Sequence, residues 1–224
     1  MDTAYQPTDR RPIASRERKL WQKLAVALAA RKVSANLISV LGMLGGIAAG
    51  VALVATHMTD GWLQRFLWLT GAAGIQLRLL ANMLDGMVAI ASQRASPLGE
   101  LYNELPDRVS DMAIIIGAGY AAGGWPALGY LAACIAVVTA YVRAVGKSAG
   151  VSNLFVGPMA KPHRMFTLTV VAVLMFALPE KWRLDWGERH AGLVTAGLAV
   201  IIMGGCVTVF RRVALIVRHL QGPG

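Results

Sequence analysis

Asn82, Asp85, Asn103, Asp107 and Asp111 stand at helical intervals in a sequence that is otherwise largely apolar. Asn82, Asp85 and Ala89 are spaced i, i+3, i+7 and share one helix face. Gly99, Asn103, Asp107 and Asp111 are each four residues apart and form a slowly drifting stripe on a second helix. Between the two, Ser96-Pro97 supplies an N-cap and a first helical residue. The polar faces therefore meet in a helical hairpin. Carboxylates and amides in this pattern offer oxygen ligands, which suit Mg2+ or Mn2+ and not zinc. Gly86 and Gly99 leave room for a ligand to approach the backbone.

The elements that must position these residues are membrane elements. The chain has 224 residues, 56% of them hydrophobic and only 15% charged, where a soluble domain carries about a quarter charged residues. Its mean hydropathy is +0.53. An all-α integral membrane protein with one domain is the expected class, and ionisable residues inside such a protein are costly and usually functional. The net charge of +10 does not point to nucleic acid, because the basic residues gather at the ends of apolar segments, as the positive-inside rule requires. Cys134 and Cys206 fall inside apolar segments and suggest neither a disulfide framework nor a metal cluster.

Six apolar segments, each near the length that crosses a bilayer, are expected at 34–56, 62–91, 97–121, 125–147, 164–180 and 190–212. Before them, residues 1–33 form a polar arm and an amphipathic interfacial helix. In the latter, Leu20, Leu24 and Leu28 recur every four residues between basic ends; a helix packed on the protein itself is the alternative. The domain is expected to run over 34–213 and a cytoplasmic tail over 214–224. The first apolar stretch reads as a retained span, not as a signal peptide. Charge bias puts both termini and the hairpin turn inside, with the loops GWLQR and PEKWRLDWGERH outside. Gly42, Gly46 and Gly50 form a GxxxGxxxG row that suits close helix packing, within the chain or between subunits. A homodimer is expected.

A second group of charges belongs at the same level. Arg143, Lys147, Lys161 and Arg164 flank the connection after the fourth span, where phosphate could be bound; positive-inside charge alone is the other reading. Arg78 lies four residues before Asn82 and seven before Asp85, on their face. It either neutralises Asp85 or contacts a substrate phosphate. Arg94, in the hairpin turn, is a further candidate for phosphate. Glu100, Glu104 and Asp111 either add ligands to the site or form a solvated helix end with structural ion pairs.

The stretch from Asn82 to Asp107 resembles the signature of the CDP-alcohol phosphotransferase family, D-x-x-D-G-x-x-A-R-x8-G-x-x-x-D-x-x-x-D. Asn82-Met-Leu-Asp85-Gly86-Met-Val-Ala89-Ile90 overlays its first half. Gly99-Glu-Leu-Tyr-Asn103-Glu-Leu-Pro-Asp107 overlays its second, with the eight-residue spacer kept. The departures are Asn82 and Asn103 at the first and third aspartate positions, and Ile90 at the arginine. The resemblance implies that Asp85, Asn82, Asn103 and Asp107 hold two Mg2+ or Mn2+ ions and that Asp107 is also the general base; Asp111, one turn beyond the signature, is the candidate to add the ligand charge the two amides lack. It implies that Gly86, Ala89 and Gly99 line a nucleotide pyrophosphate, with Arg78 and Arg94 as the candidates in this sequence to replace the family arginine that Ile90 lacks. Arg143, Lys147, Lys161 and Arg164 are similar to the family's YxRA and basic-Pro-x-Arg elements, which implies an anionic acceptor.

The implied reaction moves a phosphatidyl group from CDP-diacylglycerol to the hydroxyl of a polar acceptor, phosphorylated ones such as glycerol 3-phosphate or inositol phosphate included, and releases CMP. The expected location is a bacterial cytoplasmic membrane, with the site facing the cytoplasm. Two alternatives stand beside it. Asn82, Asn103 and Ile90 favour a non-catalytic relative that binds lipid or nucleotide. A transporter using buried polar residues is the second; the lack of an inverted repeat speaks against it.

Overall fold

The computed structural model of the chain describes residues 19–93, 97–151, 154–179 and 192–221. Arg94, Ser96, residues 1–18 and residues 180–191, with the outside loop expected there, lie outside them, as does the side chain of Glu100. The described residues form seven α-helices: α1 Lys19–Ala30, α2 Ala35–Ala55, α3 Gly61–Ala91, α4 Pro97–Tyr120, α5 Pro126–Ser148, α6 Lys161–Ala177 and α7 Leu193–Gln221. A short 3-10 turn, Thr56–Met58, follows α2. Four stretches are long and apolar enough to cross a membrane: Ala35–Met58, Gly61–Ala91, Pro126–Ser148 and Leu193–Gln221. The other two long helices carry the reason they fall short. The first half of α4 holds the charged stripe, and α6 is only 17 residues long.

Two boundaries differ from the sequence-based expectation. Helix α6 starts at Lys161, not at 164, because Pro162 in its first turn gives up no needed N–H and fixes the helical φ. Helix α7 runs unbroken to Gln221, past the expected end of the last apolar segment at 212 and into the stretch expected as a cytoplasmic tail. Arg212 and Ile216 tie this end of α7 to the bundle: the Arg212 guanidinium donates to the Val156 and Thr139 carbonyls at 3.0 and 2.8 Å, and Ile216 is buried against Gly146.

In lipid the helices gain little from hydrophobic burial against one another, so close contact through small residues must hold them. Helix α2 packs against both α3 and α4, α3 against α6, α4 against α5, and α5 against α7. The glycine row of α2 works inside the chain. A Cβ on Gly42 would sit 2.6 Å from the Ala81 Cβ, and one on Gly46 2.6 Å from the Ser110 Cβ. Gly50 faces the Ala113 carbonyl directly, and a Cβ on Gly117 would meet the Gly50 Cα at 2.8 Å. The three helices that carry the hairpin and its cover are thus locked at backbone distance. Trp68, Ile75, Ile114, Ile115, Met165 and Leu198 fill the shared core. Leu41, Leu44, Leu77 and Phe66 point outward, as lipid-facing positions do.

Helix α1 packs on α3 and buries Ala25, but it leaves Leu20 and Leu24 exposed. Part of the apolar stripe read from the sequence is therefore free to meet a membrane surface.

Candidate active site

Every polar residue of the hairpin comes from the adjoining halves of α3 and α4, and α2 and α6 close over them. The i, i+4 spacing along α4 brings Asn103, Asp107 and Asp111 onto the side that faces α3 and α6. Pro106 stands inside α4 one residue before Asp107. It has no N–H to give to the Tyr102 carbonyl, so the helix ladder is interrupted beside the central carboxylate.

Asp107 is the hub. It is buried and receives the guanidinium of Arg78, which pairs with its Oδ1. Lys161 Nζ lies 2.7 Å from the same oxygen. Arg108 stands 3.9 Å from Oδ2. With its amide nitrogen turned toward the acids, Asn82 donates to Asp107 Oδ1 at 2.9 Å, to Asp107 Oδ2 at 3.2 Å and to Asn103 Oδ1 at 2.8 Å. This orientation is the one in which its oxygen no longer faces other acceptors.

Arg78 is wholly buried. Its Nε donates to Ser110 Oγ at 2.7 Å, and Ser110 in turn donates to the Pro106 carbonyl at 2.8 Å. Gly42 and Gly46 of α2 lie against its side chain, leaving space a larger residue would take. The sequence left two roles open for this arginine, Asp85 or phosphate. The structure gives it a third partner, Asp107.

Asp85 is different. It is 2% exposed and makes no ion pair among the described residues. Ser39 Oγ donates to its Oδ2 at 2.7 Å, and the Gly86 N–H donates to its Oδ1 at 2.5 Å. Both donors are neutral. A buried carboxylate whose hydrogen bonds come only from neutral donors is costly as an anion, and a cation bound beside it would offset that cost.

Asp111 is charge-paired within the protein, although its Oδ1 accepts no hydrogen bond. Arg164 Nη2 is 3.4 Å from its Oδ2 and Lys161 Nζ is 3.5 Å from its Oδ1. Arg164 also donates to the Met159 carbonyl at 3.0 Å. Arg164 and Asp111 are both buried, so this pair ties α4 to α6 beneath the site. Glu104 sits outside it: its carboxylate takes Arg108 at 2.9 Å and Arg143 at 2.6 Å. The Arg143 guanidinium lies 5.6 Å from the centre of the Phe155 ring. Lys147 is exposed in the last turn of α5. Gly86, Ala89 and Gly99 are half-buried on the hairpin.

The structure thus brings together Asn82, Asn103, Asp107, Arg78 and Lys161, with Arg164 and Asp111 directly below. Arg143 belongs to an outer network with Glu104. Sequence reasoning missed Ser39, Ser110, Thr208 and Arg212. Ser39 was visible as one of few polar residues in a span of glycines and aliphatics. Thr208 and Arg212 hold the loop that delivers Lys161: Thr208 Oγ1 accepts from the Met159 N–H at 2.9 Å, and Gly157, at φ +118°, lies against the Thr208 side chain. No local pattern announces a contact across 49 residues of sequence.

As a metal centre the donor set is mixed. Among the described residues no three of His, Cys, Asp and Glu come together to hold an ion. The oxygen donors Asp85, Asn82 and Asn103 do suit a hard divalent cation, and the unpaired buried Asp85 gives such an ion a reason to bind.

No family model matches the sequence. The chain is 28% identical over 147 residues to an archaetidylinositol phosphate synthase of Aeropyrum pernix, covering 66% of this chain and 69% of that protein. It is 25% identical over 186 residues to a phosphatidylinositol phosphate synthase of Mycobacteroides abscessus, covering 79% and 80%. Among solved structures, the phosphatidylinositol phosphate synthase PgsA1 of Mycobacterium tuberculosis with CDP-DAG bound has the same fold. Its TM-score is 0.68 at 18% identity, over 89% of this chain and 94% of that one. The same enzyme in complex with manganese and citrate aligns with a TM-score of 0.68 at 17% identity, over 88% of each chain.

Proposed function

We propose, on the premise that this chain is related in sequence and fold to the CDP-alcohol phosphotransferases, that it is a membrane phosphatidyltransferase. It moves the phosphatidyl group of CDP-diacylglycerol to a hydroxyl of a polar acceptor and releases CMP. Inositol phosphate is the first acceptor to consider, since both relatives are named as inositol phosphate lipid synthases. The observation that carries the reading is the single cluster of Asp107, Arg78, Lys161, Asn82 and Asn103 beside the buried Asp85, in a fold shared with an enzyme solved with that donor.

In the reaction the acceptor oxygen forms a bond to the β-phosphorus of the donor. The bond from that phosphorus to the oxygen of CMP breaks, and CMP leaves with the electron pair. The acceptor proton goes to Asp107. Its Oδ2 is the less engaged oxygen, because Arg78 and Lys161 both hold Oδ1. Arg78 and Lys161 fix the carboxylate in one orientation and lower the cost of gathering phosphate charge next to it. Asp85, Asn82 and Asn103 would hold a divalent ion, Mg2+ or Mn2+, which when bound neutralises charge on the pyrophosphate. Gly86, Ala89 and Gly99 leave the α3–α4 wall low enough for the nucleotide. Arg143 and Lys147 serve the acceptor side, with Arg164 holding the floor.

Six spans with both chain ends on the cytoplasmic side, a homodimer and a site facing the cytoplasm complete this reading. The basic residues at the site end of the helices support that orientation.

One observation favours a second reading. Asp107 is already paired with two cations, which weakens it as a base. A relative that binds the nucleotide lipid without turning it over fits that fact. Mass spectrometry of the lipid product separates the two. Incubation with CDP-diacylglycerol and inositol phosphate or glycerol 3-phosphate should yield a lipid heavier than phosphatidic acid by the acceptor residue. Donor binding with no new lipid from any hydroxyl acceptor supports the second reading.

A further inference from the structure

The two halves of the hairpin differ in how their carboxylates are compensated. On the Asp107 side the charge is spent. Arg78 cannot swing away: it is wholly buried, its Nε is held by Ser110 at 2.7 Å, and Gly42 and Gly46 of α2 press on its side chain. A guanidinium also cannot lose its proton in a protein. Lys161 adds a second cation to the same oxygen, and its position is fixed by the loop anchored on Thr208 and Arg212. Asp111 below is matched by Arg164 and Lys161. On the Asp85 side no cation pairs directly with the carboxylate among the described residues; its hydrogen bonds come from neutral donors, and Arg78 and Lys161 act on it only from beyond ion-pair distance.

We infer that the chain holds one divalent ion, anchored on Asp85, and that Arg78 and Lys161 occupy on Asp107 the place of a second cation. The amides of Asn82 and Asn103 agree with this. A carboxylate at either position would add negative charge that two dications could share. An amide offers one neutral oxygen, enough to complete the shell of one ion and too little to hold two. Binding of that ion turns the Asn82 amide, whose nitrogen otherwise faces Asp107 and Asn103. This inference rests on the reading of the site as a phosphotransferase centre only for its role in turnover. Metal binding itself is measured without substrate.

The test is the stoichiometry and affinity of Mn2+ for the purified full-length chain in detergent, by equilibrium dialysis with electron paramagnetic resonance of the free ion. Four proteins are compared, with circular dichroism confirming that each is folded. Wild type should bind one Mn2+ per chain. Asp85→Asn should lose it. Ser39→Ala should weaken it by about tenfold or more, the usual cost of removing the partner of a ligating carboxylate. Lys161→Met combined with Asn103→Asp should admit a second ion, because it frees Asp107 Oδ1 of one cation and restores a carboxylate. Two ions on wild type, none on wild type, or one that survives Asp85→Asn would each overturn the inference. Failure of CMP release with one Mn2+ still bound at Asp85 would count against the proposed reaction and leave the metal assignment standing.

Discussion

Lys161 Nζ and the guanidinium of Arg78 converge on one oxygen of Asp107, one cation from the first turn of α6 and the other from the middle of α3. The carboxylate that the sequence marks as the reactive group is therefore a junction of three helices, and its orientation depends on all of them.

Lys161→Met should act on turnover more than on acceptor affinity, because the ammonium is bound to Asp107. The expected loss in kcat is on the order of 10²-fold, the scale for removing one preorganised charge-stabilising donor, with a smaller change in acceptor KM. Steady-state kinetics at varied acceptor concentration reads the split. A pure KM effect would assign Lys161 to the acceptor instead.

Asp107 and Arg78 should depend on each other for stability. Asp107→Leu leaves a buried guanidinium uncompensated and should cost about 3–5 kcal/mol. The double variant Asp107→Leu, Arg78→Met should recover much of that loss while remaining inactive. Thermal unfolding in detergent measures the coupling.

The glycines of α2 should not be equivalent. Gly46→Leu drives a side chain into Ser110 and Arg78, so expression and thermal stability should fall, by about 1–3 kcal/mol or more for overpacking at such a contact. Gly45→Ala, with open space around its Cβ position, should be close to neutral. Equal effects at the two positions would contradict the packing of α2 over the site.

Thr208 and Arg212 should matter for activity although both lie on α7. Arg212→Met removes donors to the Val156 and Thr139 carbonyls and releases the loop that carries Lys161. Activity should fall further than it does for Arg211→Met, and the wild-type Mn2+ affinity should be kept.

Much of this was legible in the sequence. The bounds of α2, α3 and α5 follow from apolar length, the start of α4 from Pro97, and the hairpin from the spacing of Asn82, Asp85, Asn103 and Asp107. Pairings across helices were not legible. Periodicity puts Arg78 on the face of Asn82 and Asp85, but it says nothing of how α4 is rotated against α3. That rotation, fixed by Gly46 on Ser110 and Gly50 on Ala113, sends Arg78 to Asp107. Arg164 read as a surface cation for an acceptor because a charge near a span end usually faces water. Its burial against Asp111 and the Met159 carbonyl depends on a loop whose path is set by Thr208. The glycine row was legible as a packing motif, while its partners were not.

The most direct test of the account is CMP release by the purified chain in detergent with CDP-diacylglycerol, Mn2+ or Mg2+ and pooled acceptors: inositol phosphate, glycerol 3-phosphate, inositol and serine. An Asp107→Asn variant serves as the control. Metal-dependent CMP release that is lost in the variant is the expected result. CMP release that persists undiminished in Asp107→Asn, or no release from any acceptor by folded protein that binds the donor, would contradict it.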